Sequence, residues 1–138
     1  MAKYNIIDSN EKIADYGLNM SMATIEQMRK QIIEILVIDR RYRDKDYSAK
    51  LLADEIGASK QYISAVFAVL FHMNYSAFVN MLRVNEAKTL LQLKRKDKVK
   101  MEDIGEAVGF ANRQSFYAAF YKETGMSPRT YKEQFRGK

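Results

Sequence analysis

Four consecutive polar residues, Asn112, Arg113, Gln114 and Ser115, follow a Gly109-Phe110 break and precede a run in which Phe116 and Phe120 fall four apart. At the start of a helix these side chains can hydrogen-bond base edges in a major groove. An Arg fork matches O6 and N7 of guanine, and an Asn or Gln carboxamide matches N6 and N7 of adenine, each pair discriminating by about 1–3 kcal/mol. Tyr117 and Ala118 follow one turn later. Tyr121, Lys122 and Arg129 are placed to meet phosphates, as are the backbone amides at the helix start after Ser127. The same polar residues would also suit a merely solvated helix start, so their meaning depends on the elements that position them.

Those elements are legible over residues 101–131. Met101, Ile104, Ala107 and Val108 recur at helical spacing, Gly109 breaks the helix, and Phe110 is set to plug the turn. The second helix places Phe116 and Phe120 on its buried face and stops at Gly125-Met126-Ser127-Pro128, because Gly tolerates positive φ and Pro cannot continue a helix. Helix, tight turn, helix and stop make a DNA-reading helix-turn-helix, whose second helix enters the major groove.

The pattern occurs twice. Leu52, Ile56 and Gly57 match Ile104, Val108 and Gly109 at an offset of 52 residues. Beyond the turn the offset is 53, matching Ile63 to Phe116, Phe67 to Phe120, His72 to Gly125, Asn74 to Ser127 and Phe78 to Tyr131. The second turn is therefore one residue longer. The first copy's reading helix starts Ser59-Lys60-Gln61-Tyr62 and continues with Ser64, so Lys60, Gln61 and Ser64 are its candidate DNA contacts, expected mainly to position the protein.

The expected fold is all-α, with about seven helices in two helix-turn-helix subdomains joined by a long helix and preceded by a short tail. Residues 1–20 show no sustained period and read as a tail or linker. Met22, Ile25, Met28, Ile32, Ile35 and Leu36 predict a helix to about Asp39, with Thr24 and Gln27 able to form a capping box. Residues 39–46 read as a polar loop. Ser48 caps a helix that Gly57 ends, a further helix runs from about Ser59 to Phe71, and the linker helix spans about 75–93. Residues 94–100 form a basic connector. The domain is expected over 21–138, with unit one about 21–74 and unit two about 97–138. No strand pattern competes, because alternation never persists for six residues.

Composition narrows the functions available. The absence of Cys excludes disulfide scaffolds, thiolate zinc sites and cysteine nucleophiles, and it fits a reducing cytosol. A single His leaves little for a metal cluster, and neither a nucleophile–base pair nor a Gly-rich phosphate loop is present. We therefore expect no enzyme, no catalytic or metal-binding residue and no cofactor. His72 reads as a positive-φ helix stop. The longest apolar run, Ala65 to Phe71, is seven residues, far short of the ~20 that span a membrane. No secretory signal is legible in the first twenty residues, so a cytoplasmic location is expected and no membrane partner. Residues 1–46 hold eight basic and eight acidic side chains, while residues 47–138 hold fifteen and nine, so the net charge of +6 lies entirely with the duplicated part. Such an excess attracts polyanions through counterion release.

Ile104, Val108, Gly109, Phe110, Phe116, Phe120, Lys122, Gly125, Ser127, Pro128 and Tyr131 together resemble the signature of the AraC/XylS transcription regulators, and the resemblance extends over about Tyr47 to Arg136. It implies a two-unit DNA-binding domain that recognises double-stranded DNA. Without acceptor cysteines the methyl-transferring DNA-repair variant of that family is excluded. The sequence departs from the pattern at His72, where Gly is usual, and at Ala68, Val69 and Ala118, where basic residues are common. The resemblance further implies RNA polymerase as a partner of activators and an upstream sensor domain if the chain is a fragment, with a monomer able to bind DNA. The rival reading is a protein-interaction module or antagonist that keeps the fold, has lost base reading, and docks through the apolar Ala65–Phe71 helix. That run offers more apolar faces than one packed helix buries, so either the 21–39 helix or a partner must cover it.

Overall fold

Most helix starts among the described residues are set by Ser and Asn side chains, the start at Met101 after Lys100 being an exception. In the computed structural model, which describes residues 21–94 and 98–135, Ser21, Ser48, Ser59, Asn112 and Ser127 each accept a hydrogen bond from the amide three residues on. Each such cap satisfies a donor that the first helical turn leaves without an intrahelical partner. Helix ends are set by left-handed residues: Gly57, His72, Gly109 and Gly125 have φ of 82°, 57°, 112° and 79°. His72 thus acts as the stop its position in the repeat predicts.

Seven α-helices and no strand result among the described residues, in agreement with the all-α expectation. They are α1 (Met22–Ile32), α2 (Ala49–Ile56), α3 (Lys60–Phe71), α4 (Tyr75–Leu93), α5 (Met101–Val108), α6 (Arg113–Thr124) and α7 (Pro128–Glu133). A π-helical turn, Ile33–Ile38, continues α1, and the Asp39 amide donates to the Glu34 carbonyl across it. The expected tail at 1–20 and the middle of the basic connector, 95–97, lie outside the described residues. No single described helix is long and apolar enough to cross a membrane.

The chain divides into two compact units, one of residues up to Arg40 with Tyr47–Phe78, the other of Arg41–Asp46 with Val79 onward. In the first, α1 packs on both α2 and α3, and Ile25, Met28, Ile32 and Leu36 are buried with Leu52, Ala53 and Ile63. The apolar run on α3 is buried too: Ala65, Val66, Phe67, Val69 and Leu70 are each at most 3% exposed. Its largest side chains contribute about 1.5–3 kcal/mol apiece by leaving water. Phe71 and Phe78 close over Phe67 with ring centroids 5.3 and 5.5 Å away.

In the second unit, Val84, Ala87 and Leu91 of α4 share one core with Met101, Ile104 and Val108 of α5, Phe110 of the turn, and Phe116, Ala119 and Phe120 of α6. Residues 39–46, read from sequence as a polar loop, contain a 3-10 turn at Arg41–Arg43. Periodicity missed it because three residues are too few to show a repeat. Its Tyr42 is 7% exposed. The Tyr42 hydroxyl donates to Glu86 Oε1 at 2.8 Å, Arg43 donates to the same carboxylate through Nε and Nη2, and Arg83 Nε donates to the Tyr42 carbonyl at 2.7 Å. Hydrogen bonding to Glu86 raises the Arg43 pKa above its ordinary value, ahead of the opposing effect of burial. One turn of α4 therefore clamps this segment with a cation and an anion.

Removing the carboxylate takes the acceptor from three donors, two of them on the part-exposed Arg43, so Glu86→Ala is expected to cost about 1–2 kcal/mol and Tyr42→Phe about 1 kcal/mol in urea unfolding. Equal, negligible losses for both variants would show that the clamp is solvated and contributes nothing.

Candidate nucleic-acid interface

The turn between α5 and α6 is held by its backbone and by the segment beneath it. After Val108, the Gly109 amide donates to Glu106 and the Phe110 amide to Gly105, which satisfies two of the carbonyls in the last turn of α5. A Cβ on Gly109 would stand 2.3 Å from the Tyr42 carbonyl oxygen and 2.9 Å from Arg43 Cα. Positive φ and close backbone approach thus both require glycine there. Gly105 has a second role that helical periodicity conceals. A Cβ there would meet Phe116 Cδ2 at 2.7 Å, so its absence lets α6 seat a fully buried ring directly on α5.

This seating decides which side chains of α6 face outward. Phe116, Ala119 and Phe120 are buried, whereas Gln114, Ser115, Ala118, Tyr121 and Lys122 are exposed. At about 100° per residue, Gln114, Ala118 and Tyr121 form a single strip opposite the buried rings. Tyr121 is 63% exposed, so it lies on the same strip as Gln114. Its spacing of seven residues from Gln114, about two helical turns, is what sets it there.

Asn112 and Arg113 are already engaged within the protein. Asn112 Oδ1 accepts from the Ser115 amide at 2.8 Å, leaving only its Nδ2 group to donate outward while the cap is intact. Arg113 donates through Nη1 to Glu102 Oε2 at 3.1 Å and through Nη2 to the Tyr117 hydroxyl at 3.3 Å, and its guanidinium lies 4.7 Å from the Tyr117 ring centroid. The expected free amides after Ser127 are largely spent. Pro128 has no N–H, the Thr130 amide donates to Ser127 Oγ at 3.1 Å, and the Tyr131 amide to the Ser127 carbonyl at 2.9 Å. Arg129 is exposed beside them.

In the first unit Lys60, Gln61 and Ser64 are exposed on α3, as is Tyr62. The face is narrower than that of α6. By the repeat offset Ala65 and Val69 correspond to Ala118 and Lys122, yet they are only 3% and 1% exposed. A helix without a basic residue there has been packed as core. The same burial narrows the docking face on which the protein-interaction reading depends, since within Ala65–Phe71 only Ala68 and Phe71 are half-buried and the other five residues are covered from within the chain.

Two helix pairs with capped, turn-locked geometry and polar second-helix starts define a DNA-binding domain of duplicated helix-turn-helix type. A family model described as a helix-turn-helix domain matches residues 52–134, and the chain belongs to that family in its AraC-type form. It is similar to YijO, an uncharacterized HTH-type transcriptional regulator of Escherichia coli, with 30% identity over 70% of this chain and 34% of the relative. It is also similar to the HTH-type transcriptional regulator AlkR of Acinetobacter baylyi, with 23% identity over 78% of this chain and 34% of AlkR. The chain thus spans about a third of the length of these relatives. Among solved structures, the C-terminal domain of the two-component response regulator yesN from Fusobacterium nucleatum aligns with a TM-score of 0.66 at 27% identity, covering 76% of this chain and 98% of that one. An AraC-type DNA-binding regulator from Chromobacterium violaceum shares the fold, with a TM-score of 0.63 at 21% identity, covering 79% of this chain and 95% of that one.

The seating of Phe116 on Gly105 yields a prediction of unusual sign. Alanine is the better helix former by about 1 kcal/mol, but the new methyl overlaps a ring with no exposed side to move toward, and overpacking costs about 1–3 kcal/mol. Gly105→Ala is therefore expected to lower the melting temperature. A rise would mean that α5 and α6 separate without cost.

Proposed function

We propose that this protein binds double-stranded DNA with sequence specificity and regulates transcription, with α6 as the principal reading helix. The observation that carries this reading is the exposed strip Gln114–Ala118–Tyr121, bordered by Arg113 and Lys122 and backed by fully buried rings. A helix so mounted presents side chains to a groove without unfolding anything behind it. Gln114 and Arg113 read base edges. Asn112 contributes through Nδ2, and Ser115 and Tyr117 flank them. Lys122 and Arg129 meet phosphates, and Tyr121 reaches from the strip toward the sugar-phosphate wall. On α3, Lys60, Gln61 and Ser64 position the protein. With two reading helices per chain, one monomer fills an asymmetric site of about two helical turns, and RNA polymerase is the further partner where regulation is positive.

Selection of bound duplexes from a random pool tests this reading. The expected outcome is an enriched motif about two turns long, degraded at single, different positions by Gln114→Ala and Arg113→Ala, each by about 1–3 kcal/mol. Lys122→Ala should weaken all duplexes alike and reduce the slope of log affinity against log salt by about 0.9. Binding with a steep salt dependence and no motif would leave phosphate attraction as the whole interaction.

A further inference from the structure

The Arg113 side chain is held away from the strip that faces outward. Gln114, Ala118 and Tyr121 lie together at helical spacing, while Tyr117 stands about 65° round the helix from them. Arg113 lies over the Tyr117 ring and reaches across to α5, where Glu102 accepts from Nη1 at 3.1 Å. Both terminal nitrogens of the guanidinium are engaged, one by a carboxylate and one by a phenol. A bidentate grip on guanine needs two coplanar donors aimed at the base.

We propose that Glu102 is a positioning residue that stows Arg113 in the free protein, and that guanine must compete for the guanidinium before it is read. This rests on the assignment of α6 as the reading helix. The magnitudes make the competition workable. Glu102 and Arg113 are 54% and 56% exposed, and an exposed ion pair shifts an equilibrium by about two- to five-fold. A bidentate Arg–guanine contact shifts it by about five- to more than a hundred-fold. Guanine therefore wins the guanidinium with a clear surplus, whereas a base offering one acceptor gains about as much as the ion pair it displaces. Glu102 thus opposes every use of Arg113, and guanine overcomes that opposition by the widest margin.

The test uses the full chain with Glu102→Gln, which keeps the side chain's length and removes its charge. Affinities are measured for the selected duplex and for one in which the Arg113-dependent guanine is replaced. The expected result is a gain of about two- to five-fold on the guanine duplex, a smaller gain on the replaced one, and no difference between the two gains in an Arg113→Ala background. Equal gains on both duplexes would overturn the proposal, because removing a negative charge beside DNA phosphates strengthens all binding alike. A loss of affinity confined to the guanine duplex would overturn it in the other direction, making Glu102 a brace that aims Arg113 at the base. Unchanged affinity would overturn it outright. If wild-type protein shows no preferred duplex at all, it is the assignment of the reading helix that fails, and the two failures are thereby told apart.

Discussion

The seat of Phe116 on Gly105 is the contact on which the second unit's exposed polar face depends. A ring that is 0% exposed, packed where any side chain at position 105 would collide with it, fixes the rotation of α6 about its own axis. With that rotation set, Gln114, Ala118 and Tyr121 can only face outward. Helix packing is close to crystalline in density, so a contact of this kind transmits orientation with little slack. Phe110 and Phe120 extend it, their ring centroids 5.3 and 5.8 Å from that of Phe116, and Tyr131 joins from α7 at 5.4 Å from Phe120.

Beneath the turn the constraint passes to the backbone. Gly109 leaves room for the carbonyl of Tyr42 and the Cα of Arg43, and α4 holds those two residues through Arg83 and Glu86. A six-residue segment that precedes α2 in the chain therefore folds with the later unit. Such a tie is non-local, more than forty residues apart in sequence, and it puts charged side chains to structural use. Had the same cations been free, they would have read as part of the basic surface.

The two copies of the motif have been used differently. Their stops, caps and buried ring positions agree: Ser59 and Asn112 cap the second helices, and Ile63 and Phe116 lie at the centre of each core. Their outer faces do not. Lys122 keeps one position of α6 in solvent, while its counterpart Val69 is buried on a helix that also packs against α1. The additional packed helix gives the first unit a fuller core, and α3 is left with a narrower exposed face than α6.

Local rules carried the sequence reading a long way. Ser and Asn caps, left-handed stops at Gly57, His72, Gly109 and Gly125, and the repeated apolar positions each act within a few residues, so helix number, helix type and the duplicated motif were determined by the sequence itself. The positions of Lys60, Gln61, Ser64, Gln114 and Lys122 on exposed helix faces followed from the same periodicity. What the tertiary structure alone decided depends on residues distant in the chain. The burial of Tyr42, the glycine requirement at 105, the pairing of Arg113 with Glu102 and the covering of the Ala65–Leu70 run arise only when α1, α4 and α5 are in place. Periodicity tells which face of a helix is apolar, but not what will be laid against it, and a charged side chain carries no local sign of whether water, a nucleic acid or another part of its own chain will be its partner.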